Sequence, residues 1–350
     1  MSLDQESTAV PASAPKGRWS EYTQLSRQVK QAGLLDRRRG WYAVRIGLNL
    51  ALLAAGWAAF AVIGESWWQL VTAAYLAVAF TQLAFVGHDA GHRQLFRARR
   101  ANDLVGLLHA NLLVGVSFDW WVGKHNRHHS NPNHEDLDPD ISITALAFTA
   151  GQASSKHGLV RLLVRYQGWL FFPLLLLEAV HLHIASAKAI VQGRGRANAV
   201  EGLLLLIHVA AYLAAVLVVL SPLQAVAFIV VQQGLFGLYL GCAFAPNHKG
   251  MPTLSDEEEL DFLRRQVLTS RNVAGSRLVD FLLGGLNYQI EHHLFPNMPR
   301  PNLRHAQPLI RAYCQQHDLA YTEASLFGSY AQAVRHLHAV GAPLRPAPAD

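Results

Sequence analysis

Long apolar runs alternate along the chain with short, strongly polar segments. The first run extends from Trp41 to Ile63, with Arg45 near its start. The second extends from Trp67 to Val86, after the tight turn Gly64-Glu65-Ser66. Two more, 202–220 and 223–243, are separated only by Ser221-Pro222. Each is close to the roughly 20 residues a helix needs to cross the hydrocarbon layer. Lipid offers no partners for backbone polar groups, so these runs are predicted to be helices, paired in two tight hairpins. Two further stretches fall short. Residues 104–118 are apolar but only fifteen long, which reads as a re-entrant or interfacial segment. Residues 169–187 carry Pro173, Glu178, His181 and His183 and become amphipathic in their back half, which reads as an interfacial helix. Trp41, Trp67 and Trp68 sit where interfacial anchors belong.

The polar parts divide the rest. Residues 1–17 are rich in Pro, Ala and Ser and are expected to be disordered. Residues 18–39 place Tyr22, Leu25 and Val29 on one side of a surface helix that ends in Arg37-Arg38-Arg39. The expected organisation is a cytosolic tail and surface helix (1–40), a membrane domain (41–248) and a cytosolic C-terminal part (249–350). The fold class expected is an all-α integral membrane protein: four transmembrane helices in two hairpins, interfacial helices, and a cytosolic helical cap.

Composition supports this. The chain is 51% apolar and 15% charged, with mean hydropathy +0.15, whereas soluble domains carry about 25% charged residues. The first 40 residues hold eleven charges and no apolar core, so no cleavable signal peptide is visible. The net charge of +6 would suit nucleic acid, but the Lys and Arg excess lies beside the spans, where cytoplasmic loops require it; no nucleic-acid role is expected. Cys242 and Cys314 lie far apart and indicate neither a disulfide framework nor an iron–sulfur site.

Three polar clusters carry the chemistry: HDAGH (His88 to His92), HNRHH (His125, His128, His129) and QIEHH (Gln289 to His293). Residues at i, i+3 and i+4 share a helix face, so each cluster aims its side chains at one point. Imidazole ligates iron, copper, zinc and nickel alike. Seven histidines exceed the needs of one ion, which points to a two-metal site. An eighth candidate, His248 in PNHKG, lies just past the fourth run, and its neighbour Asn247 could hold a metal-bound water. A shared site requires an even number of crossings between the second and third clusters; the weakest candidate, 169–187, is therefore read as not crossing. The outer turns carry no Lys or Arg, while the inner segments carry Arg93, Arg97, Arg99, Arg100, Lys188, Arg194 and Arg196. The clusters and both termini are thus expected on the cytoplasmic side of a membrane, taken to be a bacterial plasma membrane.

Metal-bound histidines usually give their second N–H to a carboxylate or carbonyl. Of Asp89, Asp138, Asp140 and Glu291, we expect Asp89, Asp140 and Glu291 to serve in this way. His109, His157, His181, His183, His208, His305, His317, His336 and His338 are read as structural, and His134 as a surface or supporting residue. Arg97, Arg99 and Arg100 read as a membrane-surface anchor, Trp120 and Trp121 as packing. No dinucleotide, flavin or haem-attachment motif is present, so electrons must come from outside.

The boxes HDAGH, HNRHH and NYQIEHHLFP, their order and the four spans resemble the integral-membrane fatty acid desaturases, from about Trp19 to Gly341. Glutamine opening the third box resembles the acyl-lipid and front-end branch. The resemblance implies a non-haem di-iron centre that uses O₂ and two electrons to desaturate a long acyl chain, carried as acyl-CoA or acyl-lipid. It implies His88, His92, His125, His128, His129, His248, His292 and His293 as iron ligands. Gln289 stands where other branches carry a ligand histidine; it would bind metal weakly, hold a water, or orient His292. With no fused cytochrome b5 domain visible, a separate ferredoxin-like or cytochrome b5-like donor with its reductase is implied. The same scaffold serves hydroxylases and ketolases. A divalent-metal transporter would place its ligands near the bilayer midplane. A di-haem cytochrome would need axial histidines inside spans, where only His208 lies.

Overall fold

The computed structural model describes residues 19–193 and 198–345. The tail before Trp19, and Arg194 and Arg196 of the charge argument, lie outside the described residues.

Helix α1 (Trp19–Gln31) buries Leu25 and Val29 completely. One turn apart, they form a single apolar ridge, which packs with Ile290, Leu294, Ile310 and Tyr313 of the C-terminal part. The N-terminal helix therefore belongs physically to the cap, tied there also by Tyr22, whose hydroxyl donates to the Leu294 carbonyl at 3.0 Å.

The first hairpin is α2 (Arg39–Ile63) and α3 (Gln69–Gly91), closed by Gly64 at φ 65°. Polar side chains inside it find one another: Arg45 pairs with Gln82, Asn49 donates to the Gln82 carbonyl at 2.8 Å, and Gln82 donates to the Tyr239 hydroxyl at 2.9 Å. Helix α3 runs to Gly91, past the expected end at Val86. Its polar extension carries His88 and places His92 at the C-cap.

Helix α4 (Arg99–Leu107) continues into a π-helical turn, Leu108–Val114, and stops at Gly115, φ 85°. Helix α5 (Phe118–Ser130) then leaves at 110° to the incoming helix. The apolar stretch 104–118 thus turns back on itself. The corner is fixed from outside: Glu201 accepts from the Asp119 amide at 2.8 Å and from the Ser117 hydroxyl, and the Ser117 amide donates to Ser186 Oγ at 2.9 Å. A buried carboxylate at a helix N-terminus offsets the partial positive charge of the free amides.

After the short helices α6 (Ala150–Ser154) and α7 (Gly158–Arg165) come α8 (Gln167–Leu175) and α9 (Glu178–Val191), bent by 68°. The single helix expected over 169–187 is two, with Pro173 inside the first. The second hairpin is α10 (Asn198–Val219) and α11 (Pro222–His248), with Pro222 at the first helical position, where a missing N–H costs nothing. Gly237 lets α9 lie close: a Cβ there would stand 2.7 Å from the Ala179 nitrogen. Helix α11 also outlasts its apolar run, so His248 is its last residue rather than lying beyond it.

Four helices, α2, α3, α10 and α11, are long and apolar enough to span a membrane, or six spans if each bent pair counts as one. Their shared core includes Phe60, Phe80, Val216, Phe228 and Phe236. The cap follows: α12 (Phe262–Leu268), β1 (Asn272–Ala274), α13 (Arg277–Leu282), α14 (Gln289–Leu294), α15 (Arg300–Gln316), β2 (Glu323–Ser325) and α16 (Leu326–Gly341). The two three-residue strands pair in parallel, Asn272 with Glu323 and Ala274 with Ser325. They are a small addition to an otherwise helical fold.

Candidate metal centre

Four helix ends converge beneath the cap. The end of α3 supplies His88 and His92, α5 supplies His125, His128 and His129, the last residue of α11 is His248, and α14 supplies His292 and His293. They form two groups. One nitrogen from each of His88, His92, His125 and His292 lies within 4.8 Å of the others, and the same holds for His128, His248 and His293. His129 stands between the groups: its Nε2 is 3.1 Å from His125 Nε2, and its ring stacks on His293 with centroids 4.1 Å apart.

The nitrogens are arranged as a cation would need them. Buried polar atoms are ordinarily hydrogen-bonded, yet Nε2 of His88, Nε2 of His92 and both nitrogens of His292 are buried without a partner. The closest ring contacts bring Nε2 against Nε2, His125 with His129 and His248 with His293, both at 3.1 Å. At the second contact both rings donate from Nδ1, to the Thr269 carbonyl and to Gln266 Oε1, so two lone pairs face each other there unless something positive lies between.

Four of the rings are held from outside. His128 Nδ1 donates to both oxygens of Asp138, each at 3.0 Å. His293 Nδ1 donates to Gln266 Oε1 and His248 Nδ1 to the Thr269 carbonyl, both at 2.9 Å. His88 Nδ1 lies 3.3 Å from Asp89 Oδ1. A ring that donates from Nδ1 presents its Nε2 lone pair to the centre. Burial, and then the neighbouring imidazoles, hold His92, His125, His129, His292 and His293 well below the ordinary histidine range. Near neutrality these rings carry no charge, as ligands must. The residues present therefore fit bound metal ions.

The family model for fatty acid desaturases matches residues 65–325. The chain belongs to the fatty acid desaturase family. It is 28% identical over 336 residues to a Delta(8)-fatty-acid desaturase of Helianthus annuus, covering 91% of this chain and 72% of the relative. It is 29% identical to the Delta(6)-fatty-acid desaturase fat-3 of Caenorhabditis elegans, covering 90% and 74%. An acyl-lipid (9-3)-desaturase of Physcomitrium patens shares 29% identity over 82% of this chain and 56% of the relative.

In this desaturase the supporting carboxylates differ from those expected. Asp138, not Asp140, grips His128. Asp140 lies 3.6 Å from His128 Nδ1 and pairs with Lys124. Asp138 is fully buried and also accepts from the amides of Asn133 and Asp140 at 2.7 and 2.8 Å. Burial opposes its ionisation, but contact with His128 outweighs that and holds the carboxyl below its usual range. Glu291 touches no imidazole. It accepts from Asn272 and Tyr321, both at 2.7 Å, and burial raises its carboxyl to about 7; its task is to pin α14 to β1 and the cap. Asp89 does lie against His88, and is itself held by Arg300 at 2.6 Å and the Tyr42 hydroxyl at 3.1 Å.

Gln289 borders the second group. Its amide nitrogen is 2.9 Å from His248 Nε2, and Asn247 donates to its oxygen at 3.2 Å. It does not orient His292, whose nitrogens have no partner. A half-turn of the amide would bring Oε1 to the same point. Asn247 Oδ1 is itself buried and unpaired.

Other histidines bind away from the two groups. His109, His208 and His336 meet backbone carbonyls of Val105, Leu112 and Phe148; His183 bridges the Gly115 carbonyl and Gln233. His134 meets Asp256 at 3.2 Å. Gln266, Thr269 and Arg271 escaped the sequence reading, since no spacing links them to a box. Arg271, fully buried, donates to the carbonyls of Pro246 and Lys249 and so clamps the turn that bears His248.

Proposed function

We propose that this chain is an O₂-dependent desaturase of a long fatty acyl chain, presented as an acyl-CoA or an acyl lipid, with two iron ions as its resident metals. The observation that carries the reading is the pair of buried imidazole groups at one end of the spans, in which Nε2 of His88, Nε2 of His92 and both nitrogens of His292 have no partner while Nδ1 of His128, His248 and His293 is held from outside. When loaded, such a centre supplies O₂ activation: two hydrogens leave neighbouring methylene carbons, O₂ accepts these with two further protons and two electrons, and two waters and a C=C bond result. The sequence carries no dinucleotide, flavin or haem-attachment motif, and a separate donor, ferredoxin-like or cytochrome b5-like with its reductase, is part of the proposal.

The residues divide the work. His88, His92, His125, His129 and His292 would hold one ion; His128, His248 and His293 the other, with Gln289 and Asn247 keeping a water at its open side. Asp138, Gln266, Thr269 and Asp89 fix the rings. The lid formed by α12, α14 and α15 keeps bulk water from the rings. Arg93, Arg97, Arg99, Arg100 and Lys188 favour the cytoplasmic side for this end of the molecule.

The test is expression in a host without desaturases, with double-bond positions read by mass spectrometry of derivatised esters. A new unsaturated acid is expected, absent with His128→Ala while that variant still folds into the membrane. A hydroxylated product, or no product from metal-loaded protein supplied with electrons, would overturn the proposal.

A further inference from the structure

A cavity of ≈490 Å³ lies at the seam between the first span and the cap, with Arg300, the partner of Asp89, in its lining. Trp41 and Arg45 of α2 wall one side, Arg277 and Asp280 of α13 another, and Arg300 and Arg304 of α15 the third. Four arginines thus share one cavity with a single carboxylate.

Two of the four charges are answered. Arg304 pairs with Asp280 at 3.2 Å, and Arg300 pairs with Asp89, outside the lining, at 2.6 Å. The other two are not. Arg45 makes no ion pair among the described residues; it donates to the neutral Gln82 and lies over the face of Phe281, 4.7 Å from its guanidinium carbon. Arg277 is exposed and makes no ion pair among the described residues. Moreover, Nε of Arg45 and Nε of Arg300 are buried with no partner. Burying an unmatched charge, or leaving its N–H donors unsatisfied, is costly.

The depth of the cavity says what would answer them. Arg45 lies six residues inside α2 from Arg39, or about 9 Å at 1.5 Å per residue. Trp41, four residues before Arg45 in α2, also lines the cavity and is part-exposed, and indole rings commonly mark the headgroup layer. Guanidinium is the side chain best matched to a phosphate, offering paired N–H donors. A ligand here needs a phosphate at headgroup depth and an apolar part in the bilayer.

We propose that this cavity binds the phosphate of an anionic amphiphile at the membrane surface. A phospholipid headgroup and the phosphates of an acyl-CoA are two sources of the same chemistry. Arg45 and Arg277 supply the unmatched charge, and Arg304 lies within reach at the rim. Binding there does not depend on the metal centre, although Arg300 links the lining through Asp89 to His88.

Native mass spectrometry of the full chain in detergent tests it, after exchange with phosphatidylglycerol or phosphatidylcholine. One phosphatidylglycerol per chain should be retained, at least about tenfold more tightly than phosphatidylcholine, a difference of roughly 1.4 kcal/mol. The double variant Arg277→Gln/Arg304→Gln should weaken it by a similar factor, as should Arg45→Gln. Should Arg45→Gln fail to fold, the double variant, whose side chains lie outside the span, carries the test. Arg300 is left intact because it holds Asp89. Displacement of the lipid by CoA alone would name the thioester as the source; persistence of the lipid against CoA would name the headgroup. Equal retention of the two lipids, or undiminished retention in the variants, would overturn the proposal. So would variants that keep the lipid yet lose affinity for an acidic electron-donor protein, since the arginines would then form a protein-docking face.

Discussion

Replacing Asp138 by asparagine should loosen one metal ion far more than replacing Asp140. Asp138 receives three donors: His128 Nδ1, the Asn133 amide and the Asp140 amide. A carboxylate accepts at both oxygens, whereas an amide has one oxygen and must turn its NH₂ toward one of those donors. The substitution removes a charge-assisted hydrogen bond, worth about 1.5–3 kcal/mol, and creates a donor–donor contact. Loss of such partners behind a ligating histidine typically costs about 10–100-fold in metal affinity, or roughly 1.4–2.8 kcal/mol. Asp140 is 3.6 Å from His128, its side chain is 30% exposed and it is already paired with Lys124; Asp140→Asn should cost less than about threefold, in the range of exposed ion pairs. The assay is metal per chain after graded chelation, by elemental mass spectrometry, with circular dichroism to show that both variants fold. Equal chelator resistance of Asp138→Asn and the parent, or a larger loss from Asp140→Asn, would refute the assignment.

Gln289→Ala should lower desaturation about 10–100-fold while both ions stay; loss of one ion per chain would instead make the amide a ligand. Arg271→Met should lower the thermal unfolding temperature and weaken metal retention, because several buried carbonyls lose their donor at about 1–3 kcal/mol each. A melting curve and metal content unchanged from the parent would refute the clamp. Gly237→Val should prevent α9 from seating on α11, since the new Cβ would meet the Ala179 nitrogen at 2.7 Å; monodisperse, active protein would contradict this. His317→Ala should leave product yield unchanged, as His317 contacts neither group of imidazoles: it returns a bond to the Tyr313 carbonyl at 2.9 Å and stacks on the Tyr313 ring.

The spans and the boxes were legible because each rests on a periodicity: run length for the four helices, i to i+4 spacing for the ligands. Element ends were not. Helices α3 and α11 continue past their apolar runs because a helix ends where its hydrogen bonds end, not where hydropathy falls. The same extension turns His92 and His248 inward. The choice between Asp138 and Asp140 was invisible for another reason. Both lie in NPNHEDLDPD, and which one reaches His128 depends on how that loop folds, including Asn133 at φ 56°. Asparagine tolerates that left-handed conformation better than most residues. The β1–β2 pair escaped notice because three residues are too few to show alternation.

The pattern of support explains why the cap is needed at all. Rings on α3, α5 and α11 sit on helices that could form without it. Yet the outward nitrogens of His248 and His293 are held by Thr269, just after α12, and Gln266, in its last turn. Gln266 also donates to the His129 carbonyl at 3.0 Å, joining α12 to the second box. Helix α12 is seated in turn by Leu263 and Val267, buried among residues of α1, α14 and α15. The first group leans instead on Asp89, Tyr42 and Arg300, at the border of span and cap. Each group of imidazoles is therefore fixed by a different part of the fold. The geometry that lets both lie side by side is set where the apolar ridge of α1 closes the cap over the ends of the spans.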